Sequence, residues 1–100
     1  MPKISIRISH ELGKEAALAR LKNFMDKIQE DFKDKISEMS GQWDDNVLTF
    51  AFTTYGLKIK GRLVVEEQEV LFDGEIPFAA VMFKGQIEKG IREELEKTLR

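Results

Sequence analysis

Four short stretches in the middle of the chain alternate apolar and polar residues, and three two-residue turn signals join them. No other feature restricts the fold as tightly. Ser37–Trp43, Val47–Thr54, Leu57–Val65 and the run through Val70, Phe72 and Ile76 repeat with a period of two, the spacing of strands with one buried face. Asp45-Asn46, Tyr55-Gly56 and Glu67-Gln68 stand between them, each short enough for a tight hairpin. Two-residue loops at these places pair Trp43 with Leu48 and Gly41 with Phe50. They also pair Phe50 with Gly61, Phe52 with Ile59, Gly61 with Gly74, Leu63 with Phe72 and Val65 with Val70. Every apolar set then lies on one common face, and a slip of one residue in any hairpin would scatter it.

The same registers line up Gly41, Phe50, Gly61 and Gly74 in a row across the sheet. A glycine inside a strand costs about 0.5–1 kcal/mol relative to alanine, so three in one row require a cause. One cause is curvature. A sheet bent at its glycines admits a helix close to its backbone, with Phe50 covering the bare neighbours. Gly90 extends this reading, because it lies seven residues after Phe83 and so on the same helical face. The other cause is a cavity for an apolar ligand, with Gly41, Phe50, Gly61, Gly74, Ile87 and Gly90 around its floor. A chain of 100 residues has room for one core and little to spare for a deep pocket, which favours packing.

The flanking segments complete the fold. Lys3–Ser9 alternates Ile4, Ile6 and Ile8 with polar residues and reads as a further strand. From about Lys14 the period becomes helical. Ala17, Leu18, Leu21, Phe24, Met25, Ile28 and Phe32 form one stripe of a helix expected to end near Lys35. From Ala79 a second helix carries Phe83, Ile87, Ile91, Leu95 and Leu99 at steps of four. The first helix returns the chain, so strand two runs parallel to strand one, and strand one can pair antiparallel with strand five. The expected fold is a single α+β domain over residues 1–100, ordered β-α-β-β-β-β-α. Its curved five-stranded antiparallel sheet has the strand order 1-5-4-3-2, with both helices on one face. The arrangement resembles a trimmed helix-grip architecture, in which a C-terminal helix lies in a curved antiparallel sheet.

Candidate chemistry is sparse. Sixteen basic residues against eighteen acidic give a net charge of −2, without the basic excess of a nucleic-acid surface. There is no cysteine, hence no disulfide, thiol nucleophile or thiolate metal site. His10, the one histidine, has no serine or cysteine nucleophile at a recognisable spacing and suits a helix entry or the surface. Asp44 and Asp45 suit a turn better than a metal, and Glu66, Glu67 and Glu69 a solvated hairpin tip. Lys58, Lys60 and Arg62 line the outer face of one strand, where a phosphate or acidic partner could meet them, although a solvated face is the simpler reading. Trp43 reads as core. No enzyme, cofactor or metal is expected.

The most apolar run is Ile76 to Phe83, "IPFAAVMF". Pro77 followed by small residues suits a strand-to-helix corner, and Phe78, Val81, Met82 and Phe83 are its candidate contacts for an apolar partner or ligand. The opening "MPKISIRISHELGKEAALARL", Trp43, "YGLKIKGRLVVEEQEV" and "EIPFAAVMFKGQIEKGIREELEKTL" together resemble the small bacterial family of polyhydroxyalkanoic acid system proteins over nearly the whole chain. Its most specific parts are the glycine-led alternation from Gly56 to Val70 and the proline-phenylalanine pattern from Ile76 to Glu88, with isoleucine at 76 where leucine is the family's expected residue. The resemblance implies an accessory of polyhydroxyalkanoate storage and supplies no catalytic residues. The expected function is therefore a non-enzymatic binding protein that engages a polyhydroxyalkanoate granule or a granule protein. The alternative is a small helix-grip carrier holding an apolar ligand between sheet and last helix. A charged, alternating N-terminus and the lack of any apolar run of about 18 residues point to a cytoplasmic monomer or homodimer without a membrane span.

Overall fold

The computed structural model describes residues 2–100. Its elements follow the chain as β1 (Lys3–Ser9), α1 (Lys14–Leu21), α2 (Phe24–Asp31), β2 (Ile36–Asp44), β3 (Val47–Thr54), β4 (Leu57–Val65), β5 (Glu69–Glu75), a 3-10 helix (Phe78–Phe83) and α3 (Lys84–Leu99). The five strands form one antiparallel sheet in the order β1-β5-β4-β3-β2.

All three hairpin registers are those the alternation dictates. Gly41 faces Phe50, Phe50 faces Gly61, and Gly61 faces Gly74, with Ile4 of β1 extending the row beyond Gly74. Tyr55 and Gly56 both take positive φ, 54° and 73°, which gives their loop the twist that matches the strands it joins. Asn46 fastens the preceding loop to β4. Its side-chain amide donates to the Val65 carbonyl at 2.9 Å, and its own carbonyl accepts from the Val65 N–H at 2.9 Å. Ser37 falls at a bulge where the β2–β3 register shifts between Ile36 and Glu38.

One face of the sheet carries the core. Ile4, Ile6, Ile8, Leu48, Phe50, Ile59, Leu63, Val65, Val70, Phe72 and Ile76 are buried against Ala17, Leu21, Phe24, Ile28, Ile91, Leu95 and Leu99. Trp43 packs on its edge, with the Lys22 ammonium 5.2 Å from the centre of its ring. His10 is buried and not at the surface. Its Nδ1 accepts from the Leu12 N–H at 3.2 Å and its Nε2 lies 3.1 Å from the Glu66 carbonyl. One ring therefore ties the end of β1 to the β4–β5 turn.

The helical layer departs from expectation in three ways. The first amphipathic stripe is broken at Lys22-Asn23 and ends at Asp31, so it makes two helices where one was expected to reach Lys35. Asparagine competes poorly for helix interiors, and across the break α1 packs over β4 while α2 packs against β2. Second, residues 78–83 wind as a 3-10 helix before α3 begins. Third, α3 lies against β1 and α1, away from the glycine row.

The glycines are consequently filled by other means than the last helix. A methyl group on Gly41 would overlap the Met25 sulfur of α2 and sit 2.7 Å from that residue's methyl carbon. On Gly61 it would overlap the Asp73 carbonyl oxygen and sit 2.7 Å from the Gly74 Cα, inside the backbone of β5. Gly74 lies under the Phe72 ring, which stacks on Phe50 at 5.1 Å between centroids. Gly90 has no atom within 4 Å of an added methyl, so it does not bring α3 close to the sheet.

Between α2 and α3 lies a buried charge. Glu94 on α3 is buried with its Oε2 unpartnered, near Asp31, which the Lys97 ammonium approaches at 3.9 Å. Burial, and then the Asp31 charge, raise the Glu94 pKa above the ordinary carboxylate value; Lys97 and Lys27 offset this only in part.

Candidate functional site

The corner after β5 is built to leave its large side chains outside. Pro77 closes the strand in an extended conformation, and its carbonyl accepts from the Ala80 N–H at 2.9 Å to start the 3-10 turn. Three residues per turn put positions 77, 80 and 83 on one side. The small Ala80 is the one fully buried member of the segment. Phe78 is 76% exposed, Val81 45%, Met82 90% and Phe83 36%. These are the four residues singled out from the sequence, and the structure presents them together at one end of the sheet.

A fifth residue joins them that the alternation did not mark. Tyr55, at the tip of the β3–β4 hairpin, is 55% exposed and stacks on Phe83 with ring centroids 5.6 Å apart. Its φ of 54° lies in the left-handed region, which a bulky side chain enters at a cost and where asparagine is the usual choice. The only signal in the sequence was an aromatic residue standing where a turn former belongs.

Beside Tyr55 opens a cavity of about 270 Å³ between α2, the ends of β2 and β3, and the first half of α3. Ile28, Phe32, Ile36, Phe52, Ile87 and Ile91 supply its apolar walls, and Gly90 leaves part of the space vacant. The expected cavity floor is thereby divided. Ile87 and Gly90 line this opening, whereas Gly41, Phe50, Gly61 and Gly74 do not. Under the glycine row the core is solid apart from a void of about 30 Å³ among Phe24, Met25, Phe50 and Phe72. The row opens on the outer face, where a broad groove of about 830 Å³ runs along it. That groove carries Lys60 and Arg62, but Glu75 and Asp73 stand directly opposite them on β5, so the basic strip meets acid within the sheet.

Among the described residues no group of three or more His, Cys, Asp or Glu could hold a metal ion, and no helix is long and apolar enough to cross a membrane. The family described as "Putative polyhydroxyalkanoic acid system protein" matches residues 4–99. No curated protein sequence matches the chain. Among solved structures, the Aha1 dimer from Colwellia psychrerythraea, determined in solution, is similar with a TM-score of 0.59 at 13% identity, covering 99% of this chain and 94% of that one. The crystal structure of TTHA0849 from Thermus thermophilus follows at 0.48 and 10% identity, covering 98% and 94%. The first of these likenesses fits a helix-grip-like α+β fold for the chain.

Proposed function

The chain belongs to the family of polyhydroxyalkanoic acid system proteins, and from that membership we propose a non-enzymatic accessory of polyhydroxyalkanoate storage that adsorbs to the apolar granule surface through the Tyr55–Phe83 corner. The observation that carries this reading is the exposure of Phe78 and Met82, at 76% and 90%, beside Val81, Phe83 and Tyr55. Large apolar side chains gathered on one exposed site mark an interaction surface, whereas scattered ones need no explanation. Two further features support it. The corner takes a regular 3-10 turn closed by the Ala80 N–H on the Pro77 carbonyl, so its backbone is already shaped before contact. Tyr55 keeps a strained backbone at the patch, where relief by a single substitution was available.

Removing an exposed side chain of this size from water contributes about 1–2 kcal/mol, so Phe78 and Met82 together supply about 2–4 kcal/mol of adsorption. Co-sedimentation of the purified protein with protein-free polyhydroxyalkanoate particles tests the proposal. The double variant Phe78→Ser, Met82→Lys is expected to fold as the parent and to lose roughly 30-fold or more in apparent affinity. Equal retention of parent and variant would remove the reading. Retention only on native granules that carry their proteins would move the contact from the polymer to a granule protein.

A further inference from the structure

The cavity beside the corner does not belong to the adsorbing surface except through Tyr55, and its chemistry differs from that of the patch. We infer that it is a binding site for a single aliphatic monocarboxylate of about eight to ten heavy atoms. Its volume of about 270 Å³ is roughly twice the cavity of ~150 Å³ that accepts benzene, and lies at the lower edge of the range of ligand pockets. A chain of that length fills it; a long acyl chain does not. The walls are mostly aliphatic and aromatic, from Ile28 on α2 and Phe32 at its end, Ile36 and Phe52 on the sheet, and Ile87 and Ile91 on α3, with Thr54 and Gln86 as uncharged polar members. They match an extended hydrocarbon tail.

The rim fixes the head group. Among the described residues Lys35 is the one ionisable cation on the lining, it is exposed to solvent, and no aspartate or glutamate lines the cavity with it. It is carried by the turn after α2, held by its own N–H donating to the Phe32 carbonyl at 2.8 Å. A carboxylate leaving the apolar cleft at that end meets an uncompensated ammonium group, so the charge favours an acid over an alcohol or an amine of the same length. Gly90 provides the space. A Cβ added there meets no atom within 4 Å, so a side chain at this position enters the cavity, and leucine or alanine in place of glycine also gains helix propensity.

Calorimetric titration with sodium octanoate tests the site. The parent is expected to bind one octanoate per chain, tighter than butanoate by tenfold or more. Gly90→Leu, checked for folding by circular dichroism, is expected to abolish binding. Lys35→Gln is expected to weaken octanoate about tenfold and to leave octan-1-ol unchanged. Methyl resonances of Ile36, Ile87 and Ile91 should shift on titration. No heat and no shift at millimolar octanoate would overturn the inference, as would parent-like binding by Gly90→Leu or equal effects of Lys35→Gln on acid and alcohol. The corner variant Phe78→Ser, Met82→Lys should bind octanoate normally. Loss there, with retention in Gly90→Leu, would place octanoate on the adsorbing patch and overturn the cavity as its site. Failure of particle adsorption alone leaves the cavity inference intact.

Discussion

Gly61→Ala should be the most damaging single-methyl change in the sheet. The new carbon would overlap the Asp73 carbonyl oxygen and sit 2.7 Å from the Gly74 Cα, where nonbonded heavy atoms settle near ~3.5–4.0 Å. The obstacle is backbone of the paired strand, so relief requires β4 and β5 to separate where Gly61 faces Gly74. Overpacking of this kind costs about 1–3 kcal/mol, against a gain of about 0.4–1 kcal/mol from stiffening the unfolded chain. The expected net loss is about 1 kcal/mol, or roughly 4–8 °C in melting temperature for a domain of this size. Gly90→Ala is the matched control. Its methyl meets nothing within 4 Å and replaces a helix-interior glycine, so it should stabilise by about 0.5–1 kcal/mol. Urea unfolding followed by Trp43 fluorescence measures both. A Gly61→Ala protein within about 0.5 kcal/mol of the parent, or destabilisation by both alanines alike, would refute the claim that the close approach of the β5 backbone requires glycine at position 61.

Further outcomes follow from the charge and strain described above. Because the folded state raises the Glu94 pKa, it holds that proton more tightly than the unfolded chain does. The contribution is thus fully present below the ordinary carboxylate value and is lost as pH rises through the higher folded value. Glu94→Gln should flatten this part of the stability–pH profile and unfold at higher temperature than the parent at pH 7; parallel profiles in a pH series of thermal melts would contradict it. Tyr55→Asn relieves about 1 kcal/mol of backbone strain and loses a stack on Phe83 worth about the same, so stability should stay within about 1 kcal/mol while retention on polymer particles falls severalfold. Unchanged retention would remove Tyr55 from the patch.

The sheet was legible because its evidence is local. A two-residue loop sets a register by itself, and the alternation on either side then has only one arrangement that buries Leu63, Phe72 and Val65 together. Pro77 and the small residues after it marked a strand-to-helix corner, but the run of Phe78, Val81, Met82 and Phe83 did not record whether those side chains stay exposed, because that depends on the 3-10 winding. The helical layer was less legible because periodicity does not record where a helix lies on a sheet. The stripe from Ala17 to Phe32 reads the same whether it is one rod or two segments bent at Lys22-Asn23. The contact that fills Gly41 comes from Met25 of the second segment, and the stripe alone does not say which of its members meets the glycine. Gly90 misled for a related reason. A glycine on the inward face of a helix permits close approach, but α3 sits over β1, so here the absent side chain leaves a cavity. Tyr55 could be found only by asking why an aromatic residue occupies a position that requires positive φ.

Hydrogen exchange on the polymer-bound protein bears most directly on the adsorbing corner. Amides of residues 78–87 and of the Tyr55-Gly56 turn should exchange more slowly when polyhydroxyalkanoate particles are added, with β1 and the outer groove along Gly61 and Gly74 unchanged. Protection centred on the outer groove, or none at the corner while the protein sediments with the particles, would contradict the account.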